Sequence, residues 1–99
     1  MFARIHTLQT TPEQHDEGRE IVVDQILPWL RDSSGFRGLI RLANRDKSKT
    51  LVITLWADED AFAASAEAGE EFSQLTSAAT GANRIALEEY EAELLELDV

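Results

Sequence analysis

The run Leu51-Val52-Ile53-Thr54-Leu55-Trp56 constrains this chain more than any other stretch, because read as a strand it is apolar on both parities except at Thr54. A strand wetted on one side alternates apolar with polar residues, and one that does not alternate has both faces covered. Helices can cover one face of a sheet, so the pattern asks for a second cover on the other face. Directly after the run, Asp58 is suited to cap a helix, and Asp58-Glu59-Asp60 place negative charge at that helix's positive end.

The rest of the chain supplies the partners. Phe2 to Gln9 reads as a strand, ended by Thr10-Thr11-Pro12. Thr11 suits an N-cap, Pro12 the first helical position and Gln14 the closing residue of a capping box, so a helix is expected from there to about Ser34, with Gly35 stopping it. Val22, Ile26, Trp29 and Leu30 form its apolar stripe, widened by Val23 and Leu27, and Pro28 removes the partner of the Asp24 carbonyl, which predicts a bend. Phe36 to Arg45 and Thr50 to Trp56 read as an antiparallel hairpin across Asp46-Lys47-Ser48-Lys49. With those loop residues unpaired, Arg45 would oppose Thr50, Arg41 would oppose Thr54 and Leu39 would oppose Trp56. One face then carries Ile40, Leu42, Leu51, Ile53 and Leu55, and the other Leu39, Arg41, Ala43, Val52, Thr54 and Trp56.

After Asp58, Phe62 and Ala66 share a helix side, Gly69 is the expected interruption, and Phe72, Leu75 and Ala79 mark a second segment that Gly81 ends. For Arg84 to Val99 composition favours helix, and Leu87, Tyr90, Leu94 and Leu97 would form a helical stripe. A sheet of three strands with two helices, however, would leave a bare edge, so a last strand over about Leu87 to Leu97 is expected. The fold class is then α+β, a ferredoxin-like βαββαβ domain with a four-stranded antiparallel sheet spanning residues 1–99 as one unit. A second copy of the chain is the simplest cover for the other sheet face, which predicts a homodimer. Arg37, Arg41 and Arg45 set against Glu88, Glu89, Glu91 and Glu93 offer cross-strand ion pairs within or between subunits.

Composition narrows the function. A formal charge of −10 disfavours nucleic acid and anionic lipid, no window is apolar enough to span a membrane, and the N-terminus lacks a signal peptide's apolar core, so the expected location is the cytoplasm. The chain has no cysteine, which removes disulfides and thiolate chemistry. It carries no Gly-rich phosphate loop, no His-Glu-x-x-His helix and no calcium loop, so neither a metal nor a dedicated cofactor is expected.

Trp29-Leu30-Arg31-Asp32-Ser33-Ser34-Gly35-Phe36, followed by Leu55-Trp56 and Ala57-Asp58-Glu59-Asp60-Ala61-Phe62, resembles the antibiotic biosynthesis monooxygenase family. There a helix commonly ends in a Pro-Gly-Phe-like turn, and the third strand leads into a Trp-Glu-Ser-x-x-Ala-Phe/Tyr helix start. The resemblance implies a dimeric α/β barrel, two ferredoxin-like sheets packed face to face. It also implies a range of activities: cofactor-independent oxygenation of polyphenolic polyketides, haem degradation, and handling of small signals or quinones. Quinone-forming members use the Trp matching Trp56, an Asn four positions earlier and a Tyr six positions later, which here are Val52 and Phe62. Neither supplies the hydrogen bond or proton of an Asn or Tyr. The places of the haem-degrading residues fall nearest His6, Ser65 and Thr76, with no histidine after His15 to act as axial ligand.

The candidate site residues follow. Trp56 offers either a core side chain or a face for a planar ligand. Arg41 and Thr54, on its strand face, add a cation and a hydroxyl suited to a phenolate or carboxylate, unless Arg41 pairs with a glutamate of the last strand. Phe62 is the neighbouring aromatic, and His6, on the first strand, is a candidate acid or base unless it is structural. His15, on the first helix, is assigned no role. The expected function is cofactor-independent monooxygenase-like action on, or binding of, a small aromatic or anionic compound, with a non-catalytic ligand-binding or structural dimer as the alternative.

Overall fold

The computed structural model describes residues 1–98. The elements run β1 (Phe2–Gln9), α1 (Pro12–Ile21), a π-helical turn (Val22–Ile26), α2 (Leu27–Asp32), β2 (Phe36–Asn44), β3 (Lys49–Trp56), α3 (Glu59–Ala64), α4 (Ala66–Thr80) and β4 (Asn83–Glu91). The strands make one antiparallel sheet in the order β2-β3-β1-β4, the ferredoxin-like arrangement. β3 is interior, as its residues require. Its rungs set the site: Phe2, Trp56 and Phe36 on one; Arg4, Thr54 and Leu39 on the next; then His6, Val52 and Arg41; then Leu8, Thr50 and Ala43. These side chains share the face covered by the helices, and Ile5, Ile40, Leu42, Leu51, Ile53 and Leu55 share the opposite one.

The hairpin register differs from expectation by two residues. Asn44 pairs with Lys49, so Arg41 opposes Val52 and Leu39 opposes Thr54. The turn is drawn to Arg45–Ser48 because the Asn44 side-chain oxygen accepts from the Lys47 N–H at 3.2 Å, and Ser48 takes a positive φ of 54°. An even slip preserves parity, so both faces keep their residues. A bulge between Phe36 and Gly38 puts Phe36, in place of Leu39, opposite Trp56.

The first helix starts with the expected capping box: Thr11 Oγ1 accepts from the Gln14 N–H at 3.2 Å and Gln14 Oε1 from the Thr11 N–H at 3.0 Å. The expected bend takes the form of a widened turn, in which the Leu27 N–H reaches back to the Val22 carbonyl just before Pro28. Val23 is 54% exposed and so lies outside the stripe. The helix ends at Asp32, and Gly35 turns the chain with φ +79°, where a Cβ would collide with the Ala61 Cβ. Both the backbone angle and the close approach of α3 require glycine there.

Two boundaries need correction. The second helical region breaks at Ser65, not at Gly69, which lies inside α4. The Ser65 hydroxyl bonds the Phe62 carbonyl at 2.7 Å and accepts from the buried Arg4 guanidinium at 2.7 Å, fixing the corner. β4 occupies Asn83–Glu91, earlier than Leu87 to Leu97. Gly81 in the left-handed conformation ends α4 and delivers the chain to the sheet. The ladder then runs out because β1, its only neighbour among the described residues, ends at Phe2; a last bond joins the Ala92 N–H to the Met1 carbonyl at 2.9 Å. The expected β2–β4 ion pairs cannot form within the chain, since these strands lie on opposite edges. Arg45 pairs instead with Asp16, and Glu89 with Arg4, each at 3.1 Å.

Candidate functional site

The apolar stripe of the first helical region does not close against the sheet. Val22, Ile26, Trp29 and Leu30 on one side, Phe72 of α4 on another and the β3 floor leave a cavity of about 80 Å³ accessible to the centres of water-sized molecules. About one-sixth of that admits a single water, so the space suits several waters or part of a flat organic molecule. Trp29 and Phe72 meet with ring centres 4.7 Å apart, and Gly69 leaves room, a Cβ there meeting nothing within 4 Å. The widened turn is part of this wall, since Val22 and Ile26 belong to it.

Of the sequence candidates, His6, Arg41, Thr54 and Trp56 line this cavity. Trp56 is 2% exposed, packs edge-on to Phe36 at 5.6 Å, and donates its indole N–H to Thr54 Oγ1 at 3.0 Å. That bond occupies a lone pair of the hydroxyl and leaves its O–H free to donate. His6 and Arg41 flank Val52 on one rung, so the two nitrogenous side chains stand on either side of an apolar centre.

Phe62 is placed elsewhere. Its ring stacks on Phe2 at 5.5 Å and lies 4.2 Å from the Arg4 guanidinium carbon, off the cavity wall. Arg4, which the sequence reading passed over, is 4% exposed and bonds Ser65 Oγ, the Phe62 carbonyl at 2.9 Å and Glu89 at 3.1 Å. It ties α3 to β1 and β4. Ser65 and Thr76 also line the cavity, but of the three places matched to haem-degrading residues only His6 carries a nitrogen able to bind iron.

Electrostatics keep both histidines neutral. Burial, then the nearby Arg84 and Arg4, lowers the His6 pKa from 6.5 to about 4. Arg84 itself lies 3.5 Å from His6 Nδ1 and makes a two-pronged ion pair with Glu70 at 2.6 Å. Burial, then Arg41 and Arg45, also lowers the pKa of His15. His15 is 8% exposed, and its Nδ1 lies 2.7 Å from Thr50 Oγ1 and 3.1 Å from Arg41 Nη1. Thr50 in turn meets Thr10 Oγ1 at 2.8 Å. The sequence offered no signal for this role, because all three partners of the chain through His15 come from β2, β3 or the β1–α1 junction. Among the described residues Arg41 has no glutamate partner of the kind expected, and its Nε is buried with no hydrogen bond.

Among the described residues no group of three or more His, Asp or Glu side chains is placed to hold a metal, and no helix is long and apolar enough to cross a membrane. An outer hollow bordered by Asp58 and Asp60 shares Trp29, Trp56 and Ser65 with the cavity.

Solved structures share the fold. Monooxygenase ActVA-Orf6 of Streptomyces coelicolor, solved in complex with nanaomycin D, superposes with a TM-score of 0.73 at 16% identity over 99% of this chain and 92% of that one. SnoaB of Streptomyces nogalater, a cofactor-independent oxygenase, gives 0.67 at 18% identity over 95% and 94%. Protein NE2512 of Nitrosomonas europaea, of unknown function, gives 0.68 at 20% identity over 99% and 94%. No curated protein matches the chain. The family profile described as antibiotic biosynthesis monooxygenase matches residues 1–80, which take in β1 through α4 and nearly all of the cavity wall, and the chain belongs to that family.

Proposed function

We propose that this chain takes a small planar aromatic compound into the sheet–helix cavity and oxygenates it without a dedicated cofactor, working as a homodimer. The observation that carries this reading is the convergence of Trp56, Thr54, Arg41 and His6 on one apolar-walled space. The description of SnoaB as a cofactor-independent oxygenase, and the ligand held by ActVA-Orf6, support its direction. In such a reaction a ring CH2 beside a phenolic system loses a proton to solvent water, and the resulting anion passes electrons to O2. One oxygen atom becomes the ring carbonyl and the other leaves in water. Arg41 favours the anion, and Trp56 with Thr54 supplies a flat wall and a hydroxyl donor.

His6 fits an acceptor better than a base. With a pKa of about 4 against about 10 for a phenol, proton transfer to it would be uphill by roughly 8 kcal/mol at 1.36 kcal/mol per unit. Its neutral ring can accept a hydrogen bond from a ligand hydroxyl without taking the proton. The dimer reading rests on the uncovered sheet face, where Ile40 and Leu42 are 38% and 46% exposed beside Leu51, Ile53 and Leu55.

A second reading, a dimer that binds such a compound without transforming it, is favoured by Val52 and Phe62 in the places where the quinone-forming relatives implied by the motif carry Asn and Tyr. Oxygen uptake with dithranol separates the two. Consumption of one O2 per dithranol, with a carbonyl product and loss of rate in Trp56→Phe, supports the oxygenase; a raised melting temperature with dithranol and no uptake above the uncatalysed rate assigns the binder.

A further inference from the structure

We propose that the compound bound in the cavity is an aromatic anion, its carboxylate or phenolate oxygen held by Arg41, and that the chain Thr10–Thr50–His15, together with Gly18, exists to present that guanidinium charged and unpaired. This rests on the reading that the cavity binds an aromatic, and specifies which class.

The contrast among arginines is the first support. Of the arginines that are not solvent-exposed, Arg4 and Arg84 each meet a carboxylate, on Glu89 and Glu70. Arg41, which lines the cavity, makes no ion pair among the described residues. Its Nη1 lies 3.1 and 3.3 Å from the two ring nitrogens of His15, only one of which can accept in a neutral ring, and its Nε is buried without a partner among the described residues. A buried donor on a charged group is rarely left unpaired in a native fold unless something else satisfies it.

The way the side chain is held is the second support. A carboxylate beside Arg41 would fix it and cancel its charge. His15 fixes it and cancels nothing: its ring is neutral, and Thr50, itself 0% exposed and bonded to Thr10 at 2.8 Å, anchors it at 2.7 Å. On the other side Nη2 packs over Gly18, where a Cβ would stand 2.7 Å from it. The guanidinium is thus gripped by a neutral acceptor and a bare backbone, with its charge intact in an apolar space. An oxyanion on a flat ring complements it, Trp29, Trp56 and Phe72 supplying the apolar walls. The overall charge of −10 opposes anions only weakly at this point, because its field is screened over about 8 Å at physiological salt.

Calorimetric titration of the intact protein with naphthoate and with its neutral isostere naphthamide tests the assignment. Wild type is expected to bind naphthoate about tenfold or more tighter. Arg41→Gln should abolish that preference and keep naphthamide binding, and Arg41→Lys should keep part of it. Gly18→Ala, which suits a helix better than glycine, should hold or raise the melting temperature while weakening naphthoate alone, since its methyl displaces Nη2. This variant keeps the test decisive if Arg41→Gln does not fold. Equal affinity for the two compounds in wild type, or a preference that survives Arg41→Gln, overturns the anion assignment and leaves the aromatic cavity standing. Binding of neither compound overturns both.

Discussion

At position 56 the indole N–H is already donated to Thr54 and the ring is almost wholly buried, so what this tryptophan presents to the cavity is only a flat apolar surface. Trp56→Ala should cost about 3–5 kcal/mol, as large aromatic truncations in cores do, a large share of the ~5–15 kcal/mol that holds a domain of this kind together. Trp56→Phe should cost clearly less, and urea unfolding will rank the two. His6 makes a different prediction. Its pKa is 6.5 in the unfolded chain and about 4 in the fold, so between those values the unfolded state binds more protons. The stability it confers is complete above pH 6.5 and is lost as pH falls toward 4, by up to about 3 kcal/mol at 1.36 kcal/mol per unit. His15, lowered for the same reason, acts in the same direction. An NMR titration of the His6 ring should find its midpoint near 4, and a midpoint near 6.5 would show that the ring is solvated. That Trp56 shares a sheet face with Arg41 and Thr54 was legible from strand parity; that His6 joins them, and that this face is the one the helices cover, was not. Nor were the roles of Arg4 and His15, because their partners lie 26 to 85 residues away in sequence.

Among the elements, the two helix breaks show opposite degrees of legibility. Pro28 announced a disturbance in the first helical region, and the π-helical turn is the answer the backbone found, one that also brings Val22 and Ile26 to the cavity. In the second region glycine signalled a break at Gly69, but helices tolerate one glycine at a cost of about 1 kcal/mol, and the chain turns instead where Arg4 reaches the Ser65 hydroxyl. Ser65→Ala leaves a buried guanidinium nitrogen without that acceptor and should destabilise by about 1.5–3 kcal/mol. In a double-mutant cycle with Arg4→Met the two losses should fall well short of additive. Full additivity would mean that the bond does not hold the corner. The N-cap of α1 is local in every respect: Thr11→Ala should cost about 1 kcal/mol, visible as a matching shift in the denaturation midpoint.

For the whole molecule, the sheet face opposite the helices decides the assembly. Ile40 and Leu42 sit half-exposed there, and Leu42 pairs with Leu51 in the middle of a continuous apolar strip. If a second copy covers this strip, Leu42→Glu alters the contact twice by symmetry. Each buried leucine contributes about 1.5–3 kcal/mol, so dimerisation should weaken a hundredfold or more, 1.4 kcal/mol being tenfold. Light scattering at micromolar concentration should find wild type as a dimer and the variant as a monomer with a lowered melting temperature. A monomeric wild type would remove the dimer from the proposal. The cavity lies on the other face, so Leu42→Glu should leave ligand contacts in place even where it splits the assembly.

By itself the sequence settled what repeats over short distances: the period of two that sorts β2 and β3 into faces, the capping box at Thr11, the glycines that end helices at Gly35 and Gly81, and the family motif around Trp56. Those features depend on a few neighbouring residues, and even a two-residue slip in register leaves them unchanged. Tertiary structure alone decided where β4 stops, because its length is set by β1. It also decided that the helix breaks at a serine, that His15 meets Arg41, and that Phe62 serves Arg4 instead of the cavity. Each of those outcomes is a bond between groups far apart along the chain, which has no energy until the sheet has brought them together.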